Sequence, residues 1–332
     1  MSQIVVEDLV KTFRVAERPR GLLGALAGLV HRRHRTVTAL RGVSFSLQAG
    51  ELLGYIGPNG AGKSTTVKIL SGILVPDSGR VEVLGRTPWK SRIETVANIG
   101  VVFGQRTQLW WDLPVIESFE LLRDIYGVPP EAYRRSRDEL VDLLSIGPLL
   151  DTPVRQLSLG QRMRCDLAAA LLHSPSILYL DEPTIGLDAV SKLAVRDFVR
   201  RLNEQRGVTV ILTTHDMDDI EALCNRVIVI HDGRIFLDGT LEQLRARVTR
   251  ERRLIVDLVH ENGHVSDPDA KVISREPRRV TLRFDPGLIS PAELIARITA
   301  EHEITDLFVE NPPIEEIIAR LYGEAREPAL VG

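Results

Sequence analysis

Short apolar runs that end in glycine or a polar residue alternate with helical patterns through about residue 240. That alternation predicts an α/β core with a largely parallel sheet. "ELLGYIG" (51–57) reads as a strand, and "KSTTVKILSG" as the helix after it, with Gly72 as its stop. "SILYLDEP" (176–183) and "GVTVILTTH" (207–215) read as two more buried strands. "RVIVIHDGRIFLDG" (226–239) reads as a hairpin, because Asp232-Gly233 supplies the positive φ angles of a two-residue turn.

The pattern changes in three places. Between about 106 and 175 the strand signal disappears, which predicts a helical lobe inserted into the α/β core. Residues 14–36 gather Arg14, Arg18, Arg20, Arg32, Arg33 and Arg35 around the apolar "GLLGALAGLV". Two readings of this insertion stand: a helix at a headgroup layer or partner surface, or a solvated loop. After a linker at 244–252, residues 253–332 start a new pattern, read as a small C-terminal α+β domain following the 1–243 domain. Its helix at 291–300 has Ser290 as cap, Pro291 at the first position and Glu293 to complete a capping box.

Composition narrows the class without naming it. The 332 residues are 44% hydrophobic and 26% charged, as in an ordinary globular protein. A net charge of −3 gives no reason to expect a nucleic-acid partner. Cys165 and Cys224 lack metal-ligand spacing and read as buried small apolar residues of a reducing compartment. The N-terminus has no signal-peptide core, and "GLLGALAGLV" falls short of the about 20 residues that span a bilayer. The expectation is a chain with no transmembrane segment of its own.

Candidate chemistry begins at "GPNGAGKS" (57–64), which fits the G-x-x-x-x-G-K-[ST] phosphate loop between a strand and a helix. Gly57, Gly60 and Gly62 let backbone N–H groups turn inward around phosphate oxygens, and the helix start adds its dipole. Lys63 reaches the β- and γ-phosphates, and the Ser64 hydroxyl is the expected Mg²⁺ ligand. "ILYLDEP" delivers Asp181 beside that loop to support Mg²⁺, followed by Glu182. Two adjacent buried acids are costly as structure, but Glu182 makes sense as the base that polarises an attacking water. His215, ending "LTTH", is placed to donate to a γ-phosphate oxygen. Gln105 leaves an apolar run where an amide meets metal or water. "RQLSLGQRMRCDLAAALL" (155–172) opens a second anion-ready helix. Ser158 and Gln161 have capping-box spacing and Gly160 allows close approach, so spacing alone leaves both a helix cap and an anion site open.

Taken in order, these motifs resemble the ATPase subunit of an ABC transporter over about residues 3–240. "GPNGAGKST" is similar to the Walker A loop, Gln105 to the Q-loop, "LSLGQ" to the signature and "ILYLDEPT" to the Walker B strand with its catalytic glutamate. Asp188 in "GLDAVS" matches the D-loop and His215 the switch histidine. The resemblance implies a P-loop NTPase core of ABC type binding ATP and Mg²⁺. It assigns nucleotide contacts to Gly57, Pro58, Asn59, Gly60, Ala61, Gly62, Lys63, Ser64 and Thr65. Ser158, Gly160, Gln161 and Asp188 would serve the ATP held by a second subunit, a copy of this chain or a paralogue. Glu182, His215 and Gln105 would act in catalysis, and Ser64, Gln105 and Asp181 at the metal. Phe13 falls where the family stacks an aromatic on adenine, and equally where a core residue would sit. The usual signature is L-S-G-G-Q, and Leu159 replaces its first glycine.

"QLWWDLPVIESFELLRDIYGVP" (108–129) and the tail "ITDLFVENPPIEEIIARLYG" resemble ATPases of bacterial exporters of drugs and antibiotics. The resemblance implies an integral membrane permease as partner, with this subunit at the cytoplasmic face. Trp110 and Trp111 read either as the groove for that partner or as core of the lobe. An importer ATPase with a regulatory C-terminal domain is the alternative. A soluble ABC ATPase of translation or DNA repair fits less well, because one cassette is present and no coiled coil separates Lys63 from Asp181.

Overall fold

The computed structural model describes residues 2–16, 34–104, 106–248, 250–261, 264–312 and 316–318. Most of the basic insertion lies outside the described residues. Its two ends do not: 14–16 and 34–36 belong to strands. The chain divides into two compact units, 1–239 and 240–332.

In the first unit β1 (Ser2–Ala16) and β2 (His34–Gln48) pair antiparallel over their length. β3 (Leu52–Ile56) leads through the glycine loop to α1 (Lys63–Leu70), which ends at Ser71 with Gly72 left-handed at φ 72°. β4 (Ser78–Val83) adds to the free edge of β1, completing a three-stranded antiparallel sheet. The hydrophobic pattern alone does not predict this sheet. α2 (Arg92–Val96) and β5 (Ile99–Phe103) follow. Then come the helices of the inserted lobe: α3 (Val115–Tyr126), α4 (Pro130–Leu144) and α5 (Leu159–Leu171). The core resumes with β6 (Ile177–Asp181), α6 (Ala189–Arg206), β7 (Thr209–Thr214), α7 (Met217–Leu223), β8 (Arg226–His231) and β9 (Arg234–Thr240).

The main sheet runs β5-β6-β7-β3-β8-β9, parallel from β5 through β8. β3 and β7 are buried at every position, as expected of parallel strands covered on both faces. β9 joins through a two-residue turn, with Asp232 at φ 46° and Gly233 at φ 75°. Both cysteines are free and buried, and burial pushes their thiols up, Cys165 to about 12. Trp110 and Trp111 are 38% and 50% exposed, which excludes the lobe-core reading of that pair.

The second unit opens with α8 (Leu241–Val248), where the sequence suggested a linker at 244–252. Thr240 and Gln243 cap it reciprocally, Gln243 N–H donating to Thr240 Oγ1 (3.1 Å) and Thr240 N–H to Gln243 Oε1 (3.0 Å). β10 (Arg252–Leu258), β11 (Ala270–Arg275), β12 (Arg279–Phe284), α9 (Pro291–Glu301) and β13 (Ile304–Glu310) follow. The sheet is antiparallel in the order β11-β12-β10-β13. Leu294 and Ile298 of α9 pack with Leu254, Val256, Val280, Leu282 and Phe284 of its inner face. Ser290 caps α9 as expected, but the Glu293 carboxylate accepts from Arg297 rather than closing a capping box.

Candidate functional site

The loop 57–62 leaves the carboxyl end of β3, the central strand of the main sheet, and feeds α1. Open parallel sheets bind ligands at that end. Gly62 forms the N-cap at φ 113°, where a Cβ would also meet the Ala39 carbonyl at 2.7 Å, so glycine is required twice over. No side chain caps α1 and its first turn holds no acid, which leaves its N–H groups and dipole to an anion. Lys63 is buried, and its ammonium donates to the carbonyls of Gly57 (2.7 Å) and Pro58 (3.2 Å). Burial pulls its pKa below the ordinary lysine value, opposed by the carboxylates of Glu182 and Asp181.

The acids come from the next strand but one. Register sets Asp181 of β6 beside Thr213 of β7, and Thr213 in turn beside Tyr55 of β3. Asp181 Oδ1 accepts from Ser64 Oγ (3.1 Å) and from the Thr213 hydroxyl. Consecutive strand residues point to opposite faces. Glu182 breaks that alternation at φ 56°, in the left-handed region, and both carboxylates line one cleft. Such a conformation costs a non-glycine residue about 1–2 kcal/mol and concentrates at functional positions. The Glu182 N–H donates to Thr213 O (2.8 Å), and its carboxylate Oε2 lies 3.1 Å from His215 Nδ1. Gly104 is pressed on this turn: a Cβ there would fall 1.9 Å from the Glu182 carbonyl.

The cleft has a volume of about 640 Å³ and is lined by Asn59, Ser64, Asp181, Glu182 and His215 of the sequence-assigned set. Lys68, Ile73, Phe103, Gly104, Arg106 and Ile185 join them, and none of these was singled out in the sequence. Thr213 was missed too, although a threonine fully buried in an apolar strand needs a hydrogen-bond partner and so was a readable signal. Gln105 lies outside the described residues. Phe13 does not line the cleft; it pairs with Val37, two residues before the Ala39 that abuts Gly62.

Ser158, Gly160, Gln161 and Asp188 are gathered elsewhere. Ser158 and Gln161 form the full capping box of α5, with Gln161 N–H donating to Ser158 Oγ (3.2 Å) and Ser158 N–H to Gln161 Oε1 (2.9 Å). Asp188 caps α6, accepting from Ser191 N–H (2.9 Å) and Ser191 Oγ (2.7 Å). The two helix starts touch: a Cβ on Gly160 would meet Ser191 Oγ at 2.3 Å. Leu159 sits in regular helix and needs no glycine freedom, and a Cβ on Gly186 would contact its Cδ2 at 3.1 Å. These four residues therefore form a second cluster, and none of them lines the cleft.

Among the described residues no group of three or more His, Cys, Asp or Glu converges to hold a metal. The Ser64 hydroxyl and Asp181 carboxylate side by side instead suit Mg²⁺, which takes few protein ligands and completes its shell with phosphate and water. Nor is any helix among the described residues long and apolar enough to cross a membrane.

The family model "ABC transporter" matches residues 40–185, from β2 through the turn after Glu182. The chain is 31% identical over 297 residues to the linearmycin resistance ATP-binding protein LnrL of Bacillus subtilis, covering 86% of this chain and 94% of LnrL. It is 39% identical over 282 residues to the methionine import ATP-binding protein MetN of Geobacillus kaustophilus, covering 83% and 72%. Its fold is similar to the dimeric post-hydrolysis structure of the ATP-binding cassette MJ0796 bound to ADP and Pi, with TM-score 0.60, 26% identity and coverage of 72% of this chain and 98% of that one. With its phosphate loop, paired acids and helical lobe in place, the chain belongs to the ABC transporter family, as an ATP-binding subunit that hydrolyses ATP.

Proposed function

We propose that the chain powers export through a separate integral membrane permease, acting at the cytoplasmic face as half of an ATP-closed dimer. Its partner in the dimer is a second copy or a paralogous ATPase subunit. The observation that carries this reading is the separation of two half-sites. The cleft holds Ser64, Asp181, Glu182 and His215, whereas Ser158, Gly160, Gln161 and Asp188 cluster apart from it. A head-to-tail pair would set one chain's second cluster over the other chain's cleft.

In that pair the loop from Gly57 to Thr65 wraps the phosphates, with Lys63 on the β- and γ-oxygens. Phe13 would stack on the adenine. Mg²⁺ would be held by Ser64 and Asp181, with Gln105 as a further ligand, and would neutralise charge on the phosphates. Glu182 takes a proton from water as its oxygen attacks the γ-phosphorus, and the bond to the bridging oxygen breaks to give ADP and phosphate. His215, within hydrogen-bond reach of Glu182, orients that carboxylate. The partner's Ser158 to Gln161 helix start neutralises the γ-phosphate from the other side. Export is supported by the likeness to a protein named for linearmycin resistance, over nearly its whole length.

Import is the second reading, favoured by 39% identity to a methionine import protein. Small-molecule binding to the full chain with inhibition of hydrolysis would support it. The test of the main reading is capture of Glu182→Gln protein from solubilised membranes with ATP. Co-purification of an integral membrane protein is expected; recovery of none counts against the transport role.

A further inference from the structure

Among the described residues, two buried acidic residues lie outside the cleft; Asp219 is ion-paired with Arg196, whereas Asp166 has no cation within salt-bridge distance. Asp166, on α5 two turns after the Ser158 cap, is 3% exposed in a helix stretch otherwise buried with apolar side chains. Its Oδ1 accepts from Thr107 Oγ1 (2.8 Å) and from the Gln108 backbone N–H (3.1 Å). The Gln108 side chain returns a bond from Nε2 to the Asp166 carbonyl (3.0 Å). One turn earlier, the Arg162 guanidinium lies 5.6 Å from the Trp111 ring centroid. Ser158, Arg162 and Asp166 are spaced by four and share one helix face.

That face thus fastens the segment just after Gln105 at two points. Leu109 is buried and the Trp110 N–H donates to Ser118 Oγ (3.2 Å), but at Thr107 and Gln108 a cavity of about 190 Å³, lined also by Val101, Phe103 and Arg106, reaches Asp166 from the end of β5, so there the hydrogen bonds stand in for close packing. A buried acid in such a place costs desolvation that an alanine would avoid. At the far end of the segment Trp110 and Trp111 expose apolar rings, and at the near end of α5 stands the Ser158–Gln161 helix start.

We propose that Asp166 is a positioning residue for ATP-driven closure, latching residues 107–111 to α5 so that the exposed tryptophans and the anion-receiving helix start move as one body. The proposal rests on the composite-site reading above. Without the latch, the helix start reorients independently of the 107–111 segment and meets the partner's γ-phosphate less often. ATP binding to a chain's own loop is untouched.

The test uses the full-length chain with Glu182→Gln as parent, measuring protein concentration for half-dimerisation in ATP and, separately, monomer affinity for a fluorescent ATP analogue. Adding Asp166→Ala should raise the half-dimerisation concentration about tenfold, the scale of one or two lost hydrogen bonds, without changing monomer affinity. Asp166→Asn should restore it, since both bonds go to a single oxygen that the amide retains. Thr107→Val, with Thr107→Ser as its rescue, reads the latch from the other side should the alanine variant not fold. Dimerisation of the Asp166→Ala or Thr107→Val protein at the parent's concentration overturns the latch, as does an Asn variant no better than Ala. A parent that binds ATP and does not dimerise overturns the composite site and the latch together.

Discussion

His215 Nδ1 lies 3.1 Å from Oε2 of Glu182, joining the end of β7 to the residue just past β6. The glutamate is held in left-handed backbone, with the imidazole beside its carboxylate. His215→Ala removes that partner while leaving the phosphate loop intact. The turnover number should fall about a hundredfold, within the range of general acid–base contributions, with ATP affinity nearly unchanged. Steady-state ATPase kinetics beside nucleotide titration check this. An equal loss in affinity would mean that His215 acts mainly in binding.

Thr213→Val keeps the shape of a fully buried side chain but deletes a donor to Asp181. With one hydrogen bond fewer, the carboxylate is less well aimed at the metal position it shares with Ser64. The Mg²⁺ concentration giving half-maximal ATPase should rise several-fold, and metal-free ATP binding should not move. Unchanged Mg²⁺ dependence would reduce Thr213 to a packing residue.

Gly160→Ala should destabilise the protein even though alanine is the better helix former. The added Cβ would meet Ser191 Oγ at 2.3 Å, and Ser191 cannot turn away without giving up its bond to Asp188. The expected loss is about 1–3 kcal/mol, as for other overpacked contacts. Gly160→Ala with Ser191→Ala should recover part of it in urea unfolding. A Gly160→Ala protein as stable as the parent would show that the two helix starts do not touch.

Much of the site was readable because its chemistry is local. Lys63, Ser64, Asp181, Glu182 and His215 each follow an apolar strand whose end fixes their position. The β1–β2–β4 sheet was not readable, because register shifts at Val6/Leu9 and Lys11/Thr12 break the period of two that marks a strand. The arginine run beside it then suggested an insertion reaching into residues that are strand. Thr240 and Gln243 have capping-box spacing, and that cap starts the helix that occupies the first part of the 244–252 stretch read as linker. Asp166 had a signal of its own, a single acid in "CDLAAALL". Its partners Thr107 and Gln108, however, are neighbours only in the folded chain.

Asp166 also makes stability depend on pH. Burial raises its carboxyl from the ordinary value of 3.8 to about 6, opposed by hydrogen bonds from Thr107 and Gln108. Between those values the folded protein keeps a proton that the unfolded chain has lost. Stability linked to this group is therefore present at acid pH and falls as pH rises through that window. Asp166→Asn escapes the loss and should be more stable than wild type at pH 8, by up to about 3 kcal/mol, with the gap closing near pH 4. Denaturant melts of both proteins across that range check the sign. A gap that grows toward acid pH would contradict it.

In the proposed function one chain holds two halves of different sites, the cleft around Glu182 and the helix start at Ser158. The deciding measurement is the mass in solution of Glu182→Gln protein with ATP, by light scattering at rising protein concentration. The expected result is an ATP-dependent dimer that a further Ser158→Arg change abolishes while each monomer still binds ATP. A Glu182→Gln protein that binds ATP and remains monomeric at high protein and ATP concentration would contradict it.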